Sequence, residues 1–183
     1  MFKVISKFIL YKIWGWKIEG NFPKDTPKYI AIGAPHTSNW DFILGLLSRS
    51  ILGADIKFIA KKSLFLFPYG WLFRLLGGYP IDRKKNRNYV DAMIDLFNSK
   101  EHFAVAITPE GTRNRVDQFK SGFYYIAKGA NIPIVITIFD ASNKVFKILP
   151  PLPLSGNFEQ DMEKITQYFR GIKGINPEQG VFF

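Results

Sequence analysis

One of the two histidines in this chain stands five residues before an aspartate, in the segment APHTSNWD that spans residues 34–41. Histidine is the side chain best suited to accept a proton near neutral pH. A carboxylate bonded to its other ring nitrogen fixes the tautomer and stabilises the imidazolium. His36 and Asp41 are therefore candidates for a general-base pair.

The pairing of His36 with Asp41 depends on where the next helix begins. Residues five apart in a regular helix diverge by about 140°, so the two side chains meet only if His36 precedes the helix. Pro35 favours that placement, because it holds the preceding residue extended. A second interpretation uses the same residues as a capping box, with Ser38 at the N-cap and Asp41 at the third helical position. The residues alone leave both open.

A second candidate site is the segment PEGTR at residues 109–113, which directly follows a predicted strand at residues 103–107. Open α/β sheets bind ligands at the carboxyl ends of their strands. Gly111 permits a tight turn, and Thr112 and Arg113 offer donors that suit a phosphate group. Glu110 would hold Arg113 or another cation in position. An ordinary surface turn is the alternative interpretation.

The third candidate is the segment GGYPIDR at residues 77–83. Its glycines precede an extended stretch, and Arg83 could meet a second face of the same anion. The basic residues that follow, at positions 84–87, are also typical of a solvated loop.

Helical and strand patterns alternate through most of the chain, which predicts an α/β layered fold with a largely parallel central sheet flanked by helices. The predicted helices are residues 1–17, 42–52, 88–98, 119–128 and 159–170. The predicted strands are residues 29–32, 56–60, 103–107, 134–139 and 145–149. At 183 residues, the chain is expected to form a single domain over residues 1–183.

The composition limits the classes of partner. The 25 Lys and Arg residues outnumber the 15 Asp and Glu residues, which gives a net charge of +10, and aromatics make up 16% of the chain. This balance indicates an anionic partner, which could be nucleic acid, a membrane surface or a phosphorylated molecule. The absence of cysteine excludes disulfides and thiol nucleophiles and is compatible with a reducing compartment.

Two segments are candidates for contact with lipid. Residues 1–17 have the apolar stripe and flanking lysines of an amphipathic helix, which could lie on an anionic membrane or pack on the domain core. Residues 61–79 are crowded with apolar side chains; ordinary core is the favoured interpretation, and a lipid-contacting surface is the alternative. Because the longest uncharged apolar stretches are about half the roughly 20 residues that a spanning helix needs, we expect peripheral attachment.

Taken together, the three polar segments resemble the lysophospholipid acyltransferase family, which includes the acylglycerol-phosphate acyltransferases. The H-x4-D hallmark is matched by His36 and Asp41, and the E-G-T-R block by residues 110–113. The glycine-led block that ends in arginine is matched by residues 77–83, and a later apolar block around a proline by residues 132–135. The order and approximate spacing agree over roughly residues 29–153.

The resemblance implies a glycerolipid-acyltransferase-like fold and a direct acyl transfer. His36 would deprotonate a hydroxyl group of a lysophospholipid or glycerol-phosphate acceptor, and Asp41 would orient His36. The hydroxyl would then attack the thioester of acyl-CoA or acyl carrier protein, with no metal or other cofactor. The residues assigned to the acceptor's phosphate are Arg83, Glu110, Gly111, Thr112 and Arg113.

The chain departs from the family pattern at three positions: Pro35 replaces a frequent Asn, Pro80 replaces an aromatic residue, and Ile136 replaces a second proline. These departures affect the expected identity of the acceptor and the fit of the acyl chain. The resemblance also implies a site on the cytoplasmic face of a membrane. A catalytically silent membrane- or anion-binding protein with the same fold is the alternative. Nucleic acid is not an expected partner, because the aromatic residues concentrate in apolar runs.

Overall fold

The computed structural model of the protein describes residues 2–81, 89–181 and 183. Its centre is a sheet of seven strands in the order β1-β7-β6-β2-β5-β3-β4. The strands are β1 (Lys17–Glu19), β2 (Lys28–Ala34), β3 (Ile56–Lys61), β4 (Gly78–Ile81), β5 (Phe103–Ile107), β6 (Ile134–Asp140) and β7 (Val145–Ile148). Neighbouring strands are parallel except for β6 and β7. The predicted α/β fold with a largely parallel sheet is confirmed.

Helices connect most of the strands. They are α1 (Phe2–Lys7), which continues as a π-helical segment (Phe8–Ile13), α2 (Asn39–Leu52), α3 (Gly70–Leu75), α4 (Tyr89–Asn98), α5 (Gly122–Gly129) and α6 (Phe158–Gln167). A short 3-10 turn, Lys62–Phe65, follows β3. β1 and β7 come from distant parts of the chain and pair in one sheet. That residues 1–183 form a single domain stays a prediction.

The N-terminal helix ends earlier than predicted. Helical structure stops at Ile13, and Lys17–Glu19 form β1 beside β7. Gly15 has a φ of +69°, which glycine adopts without the steric cost that a β-carbon imposes, and it lies between the two elements. The prediction of a helix through residue 17 is therefore wrong at its C-terminal end.

The strand β2 lies at the centre of the sheet and separates two apolar layers. Its side chains alternate, so that Ile30 and Ile32 join one buried cluster whereas Tyr29 and Ala31 join the other. Burial on both faces explains its nearly continuous apolar sequence. The strand ends at Ala34, and its direction places the turn that contains His36 at the carboxyl edge of the sheet.

The crowded apolar residues at 61–79 do not form ordinary core, so the favoured interpretation of that segment is wrong. Phe67 is 97% exposed and Trp71 is 66% exposed, whereas Phe65 is buried. We call the solvent-facing side chains of this region the aromatic segment: Leu64, Leu66, Phe67, Tyr69, Trp71, Leu72 and Leu75. Within residues 2–81, 89–181 and 183, no helix is long and apolar enough to cross a bilayer.

Candidate active site

The turn between β2 and α2 places His36 outside the helix. Ser38 is the N-cap, with extended backbone angles (φ −146°, ψ 158°), and its hydroxyl oxygen accepts the Trp40 N–H at 3.2 Å. Asp41 Oδ2 accepts the Ser38 N–H at 2.7 Å, which completes a capping box. The capping interpretation from the sequence is thus confirmed.

The same carboxylate also contacts His36. Asp41 Oδ2 lies 3.3 Å from His36 Nδ1 and accepts the Thr37 N–H at 2.7 Å. Asp41 is 1% exposed and the His36 side chain is 19% exposed, so a fixed buried carboxylate holds a partly accessible imidazole. Contact through Nδ1 leaves Nε2 as the ring nitrogen that can exchange a proton with a bound molecule. The cap and the pair are compatible, because the helix begins after His36.

Glu110 supports the His36 turn from the second polar segment. Its side chain is fully buried, and its Oε1 and Oε2 accept the backbone N–H of His36 at 3.1 and 2.9 Å. Burial raises the pKa of Glu110 to about 7, opposed by the hydrogen bond from the His36 backbone. This geometry differs from the predicted phosphate contact, since the Glu110 carboxylate faces the His36 main chain.

We expect Glu110→Gln to flatten the dependence of stability on pH. As pH rises above 4.5, the ordinary pKa of this carboxyl, the unfolded chain loses its proton first, so the stability of the wild-type protein falls until the pH passes about 7. A shift of this size corresponds to a loss of about 3 kcal/mol, which the glutamine variant avoids. Urea denaturation of both proteins between pH 4.5 and pH 8 measures the difference. Glu101→Gln, at an exposed position, is the control, and parallel curves for Glu110→Gln and the wild type would contradict the assignment.

The loop after β5 brings a guanidinium group to the start of α2. Arg113 Nη1 donates to the side-chain oxygen of Asn39, the first residue of α2. Gly111 has a φ of +66°, which favours glycine, and the Lys120 side chain lies close to it, since a β-carbon there would be 2.8 Å from Lys120 Nζ. Arg113 and Lys120 together give this edge of the sheet two cations suited to an anion.

A large apolar cavity opens beside these residues. It has a volume of about 1200 Å³. Its polar lining includes His36, Asp41, Arg113 and Lys120. Its apolar lining includes side chains of the sheet, of α2 and of α5, and Leu64 of the aromatic segment. Representative residues are Ala31, Gly33, Phe42, Ile43, Phe58, Leu64, Ala106 and Phe139. A predominantly apolar cavity with a few polar groups at one place is typical of a ligand site.

The structure gathers some of the predicted site residues and not others. His36, Asp41, Gly111 and Arg113 line the cavity, whereas Thr112 is absent from the lining and its Oγ1 accepts the Asn114 N–H at 3.2 Å. Arg83 lies outside the described residues. In the part of the chain that the structure describes, no three or more His, Asp or Glu side chains are grouped as metal ligands would be.

Sequence reasoning missed Lys120 and Asn39 as members of the site. Lys120 follows Glu110 by ten residues, beyond the segment that has a recognisable pattern. The only sequence signal for Lys120 was a cation in the same loop as Arg113. Asn39 lies inside the segment APHTSNWD, but nothing in its type distinguished it from an ordinary first residue of a helix.

Comparison with known proteins gives consistent matches. The model of the acyltransferase family matches residues 17–139. The 1-acyl-sn-glycerol-3-phosphate acyltransferase of Haemophilus influenzae is 26% identical over 180 residues, which cover 87% of this chain and 73% of that protein. The chloroplast 1-acyl-sn-glycerol-3-phosphate acyltransferase of Arabidopsis thaliana is 32% identical over 151 residues, but the chain spans only 39% of its length.

The fold also has a solved counterpart. The crystal structure of the 1-acyl-sn-glycerophosphate acyltransferase of Thermotoga maritima superposes with a TM-score of 0.65 at 22% identity, and the match covers 91% of this chain and 74% of that one. At this identity the likeness establishes the architecture alone.

Proposed function

Because this chain belongs to the acyltransferase family, we propose that it transfers an acyl group from an acyl thioester to a hydroxyl group of a lysophospholipid or glycerol-phosphate acceptor. The observation that carries the proposal is the contact of His36 Nδ1 with the buried Asp41 in the lining of an apolar cavity that Arg113 also lines. The relatives with the matches above are named for 1-acyl-sn-glycerol-3-phosphate, so lysophosphatidic acid is the first acceptor to test.

The proposed reaction is a direct transfer with His36 as general base. His36 Nε2 takes the proton of the acceptor hydroxyl while the hydroxyl oxygen attacks the thioester carbonyl carbon. The carbon–sulfur bond then breaks, and the leaving thiolate takes the proton back from the imidazolium. Asp41 stabilises the positive charge that His36 carries between the two steps. The chain has no cysteine, which agrees with transfer that involves no thiol acyl-enzyme.

The cavity supports the assignment of the acyl donor. Its lining is mainly apolar and runs from His36 to Leu64 of the aromatic segment, so an acyl chain could lie along α2 with its thioester at His36. Both acyl-CoA and acyl carrier protein would present the same thioester. The thiol that either releases serves as the common readout.

A thiol-release assay tests the function. We expect purified protein to release free thiol from an acyl thioester only when lysophosphatidic acid is present, and mass spectrometry to find the acylated lipid. Binding of either substrate without thiol release would favour the catalytically silent protein instead. Retention of a labelled oligonucleotide, without acyl transfer, would favour a nucleic-acid-binding domain.

We assign the acceptor's phosphate to Arg113, assisted by Lys120. The charge-assisted hydrogen bonds of a guanidinium to a phosphate contribute roughly 1.5–3 kcal/mol, so Arg113→Ala should lower kcat/KM for lysophosphatidic acid by about 10- to 100-fold. Steady-state kinetics with each substrate varied in turn measure the effect, and the KM of the acyl donor should change little. Arg170→Ala, which removes an exposed partner of Glu163, is the matched control. An unchanged dependence on the acceptor would remove Arg113 from the phosphate site.

We propose that the protein attaches peripherally to an anionic membrane through two apolar surfaces. The first is the exposed face of the N-terminal helix, formed by Phe2, Val4, Ile5, Phe8 and Ile13. Leu10 of the same helix is buried, so one side packs on the domain while the other meets solvent. The second is the aromatic segment, and the net charge of +10 favours anionic lipid for both. The cytoplasmic face of the membrane stays a prediction.

The attachment is testable with two largely exposed aromatics of the second surface, Phe67 and Trp71. The double variant Phe67→Ser, Trp71→Ser should co-sediment less with vesicles that contain anionic phospholipid, because both side chains are largely exposed and lose favourable transfer into the interface. Tyr168→Ser, at an exposed aromatic next to α6, should leave vesicle binding unchanged. Equal binding of the double variant and the wild type would assign the aromatic segment another role.

A further inference from the structure

Residues 174–181, close to the C-terminus, lie across the turn that contains His36 and contact both polar segments of the site. We call this stretch the C-terminal strap. It follows the last helix and lies beyond the 17–139 match of the family model. Its contacts reach 139 residues back along the chain to Thr37, the residue after His36.

Asn176 makes the main contacts of the strap with the turn. Its backbone N–H donates to Thr37 Oγ1 at 3.1 Å, and its Nδ2 donates to the Thr37 carbonyl oxygen at 2.7 Å. With its Nε2 toward them, the Gln179 amide donates to the carbonyl oxygens of Thr37 and Arg113, each at 2.9 Å. Thr37 is 1% exposed, so the loss of one of these hydrogen bonds would leave a buried polar group without a partner, which is costly.

Two glycines allow the strap to approach this closely. A β-carbon at Gly174 would lie 2.5 Å from the side chain of Thr37. A β-carbon at Gly180 would lie 3.0 Å from Thr37 and 3.3 Å from Pro35, and Gly180 has a φ of +88°. The strap therefore packs against the residues on both sides of His36.

The strap also fixes the loop that follows β5. The Val116 N–H donates to the Gly180 carbonyl at 2.8 Å, and Val181 bridges to Val116. The Phe183 ring meets Phe119 edge to face, with the centroids 5.0 Å apart. One short segment thus joins the His36 turn to the loop that contains Glu110 and Arg113.

We propose that the C-terminal strap sets the position of His36 relative to the phosphate-binding loop, with Asn176 as the positioning residue. The proposal rests on the proposed function for its kinetic test. Asn176 is not among the residues that line the cavity, and it acts through the Thr37 main chain and hydroxyl. Because a misplacement of a catalytic group by about 1 Å can lower a rate by about 10²-fold, loss of this contact should affect kcat more than substrate binding.

The test compares Asn176→Ala with wild-type protein in the thiol-release assay. We expect kcat to fall by about 10- to 100-fold while the KM of lysophosphatidic acid changes by less than about threefold. Thr37→Val removes the hydroxyl that accepts the Asn176 N–H and should give a similar loss, whereas Thr37→Ser should retain activity. Asn98→Ala, at an exposed position at the end of α4, is the control. An unchanged kcat in folded Asn176→Ala would overturn the proposal, as would equal losses with Thr37→Ser and Thr37→Val.

Hydrogen exchange tests the strap without reference to activity. In Asn176→Ala, the amides of Thr37 and Ser38 should exchange faster, while those of the central strand β2 should retain wild-type rates. Unchanged exchange at Thr37 and Ser38 would overturn the proposal. The two proposals can fail separately. If the wild-type protein releases no thiol, the proposed function fails. Faster exchange in Asn176→Ala would still show that the strap holds the turn that contains His36.

Discussion

Replacing His36 with alanine is expected to lower acyl transfer by about 10³-fold, within the range that general-base catalysis contributes. The His36 imidazole lines the cavity and is suited to take the acceptor's proton, and its Nδ1 lies 3.3 Å from the Asp41 carboxylate. Folding should be retained, because the helix cap is formed by Ser38 and Asp41, not by the His36 side chain. Thiol release at saturating donor and acceptor measures the loss.

The chain provides a matched control in its other histidine. His102 lies on an exposed turn just before β5, so His102→Ala removes an imidazole without touching the cavity and should leave thiol release unchanged. Circular dichroism and thermal unfolding would establish that both variants are folded. Substantial turnover by folded His36→Ala would exclude His36 as the general base and return the silent binding protein to consideration.

The geometry of the His36 turn was predictable from the sequence because the interactions that make it are local. Pro35, Ser38 and Asp41 lie within seven residues, and each restricts the backbone in a known way. The parallel sheet was predictable for a similar reason, since the period of the apolar residues identifies the central strands without reference to their partners. Only the strands at the edges of the sheet were not predicted. β1 has three residues, too few for any period to be recognised, and it forms by pairing with β7.

The remainder of the site depends on contacts between distant parts of the chain. The carboxylate of Glu110 holds the backbone of His36 across 74 residues, and no feature of the sequence shows that a glutamate in a polar segment is buried. The strap reaches Thr37 through an asparagine and two glycines, residue types that are typical of any loop. The exposure of the aromatic segment was also hidden, because the sequence of a core helix and that of a surface that meets lipid are equally apolar.

Asp41→Asn is the second variant for which we expect a large effect, a loss of about 10³-fold in kcat. The amide is nearly isosteric with the carboxylate and its oxygen can still accept the N–H groups of Thr37 and Ser38, so the start of α2 should be preserved. What the variant lacks is the negative charge beside His36 Nδ1, which stabilises the imidazolium formed during transfer.

Asp161→Asn separates this catalytic effect from the general cost of altering a buried carboxylate. Asp161 lies in α6, is 6% exposed and accepts the backbone N–H groups of Ser155 and Gly156, much as Asp41 accepts those of its own turn. Asp161 does not line the cavity. We therefore expect Asp161→Asn to lower the unfolding temperature while kcat stays within about threefold of wild type. Equal losses of kcat in the two variants would mean that Asp41 acts only as a helix cap. If only Asp41→Asn loses kcat, and the two variants unfold at similar temperatures, the Asp41 carboxylate takes part in the chemistry. The loss of kcat could then not be explained by a weaker helix cap.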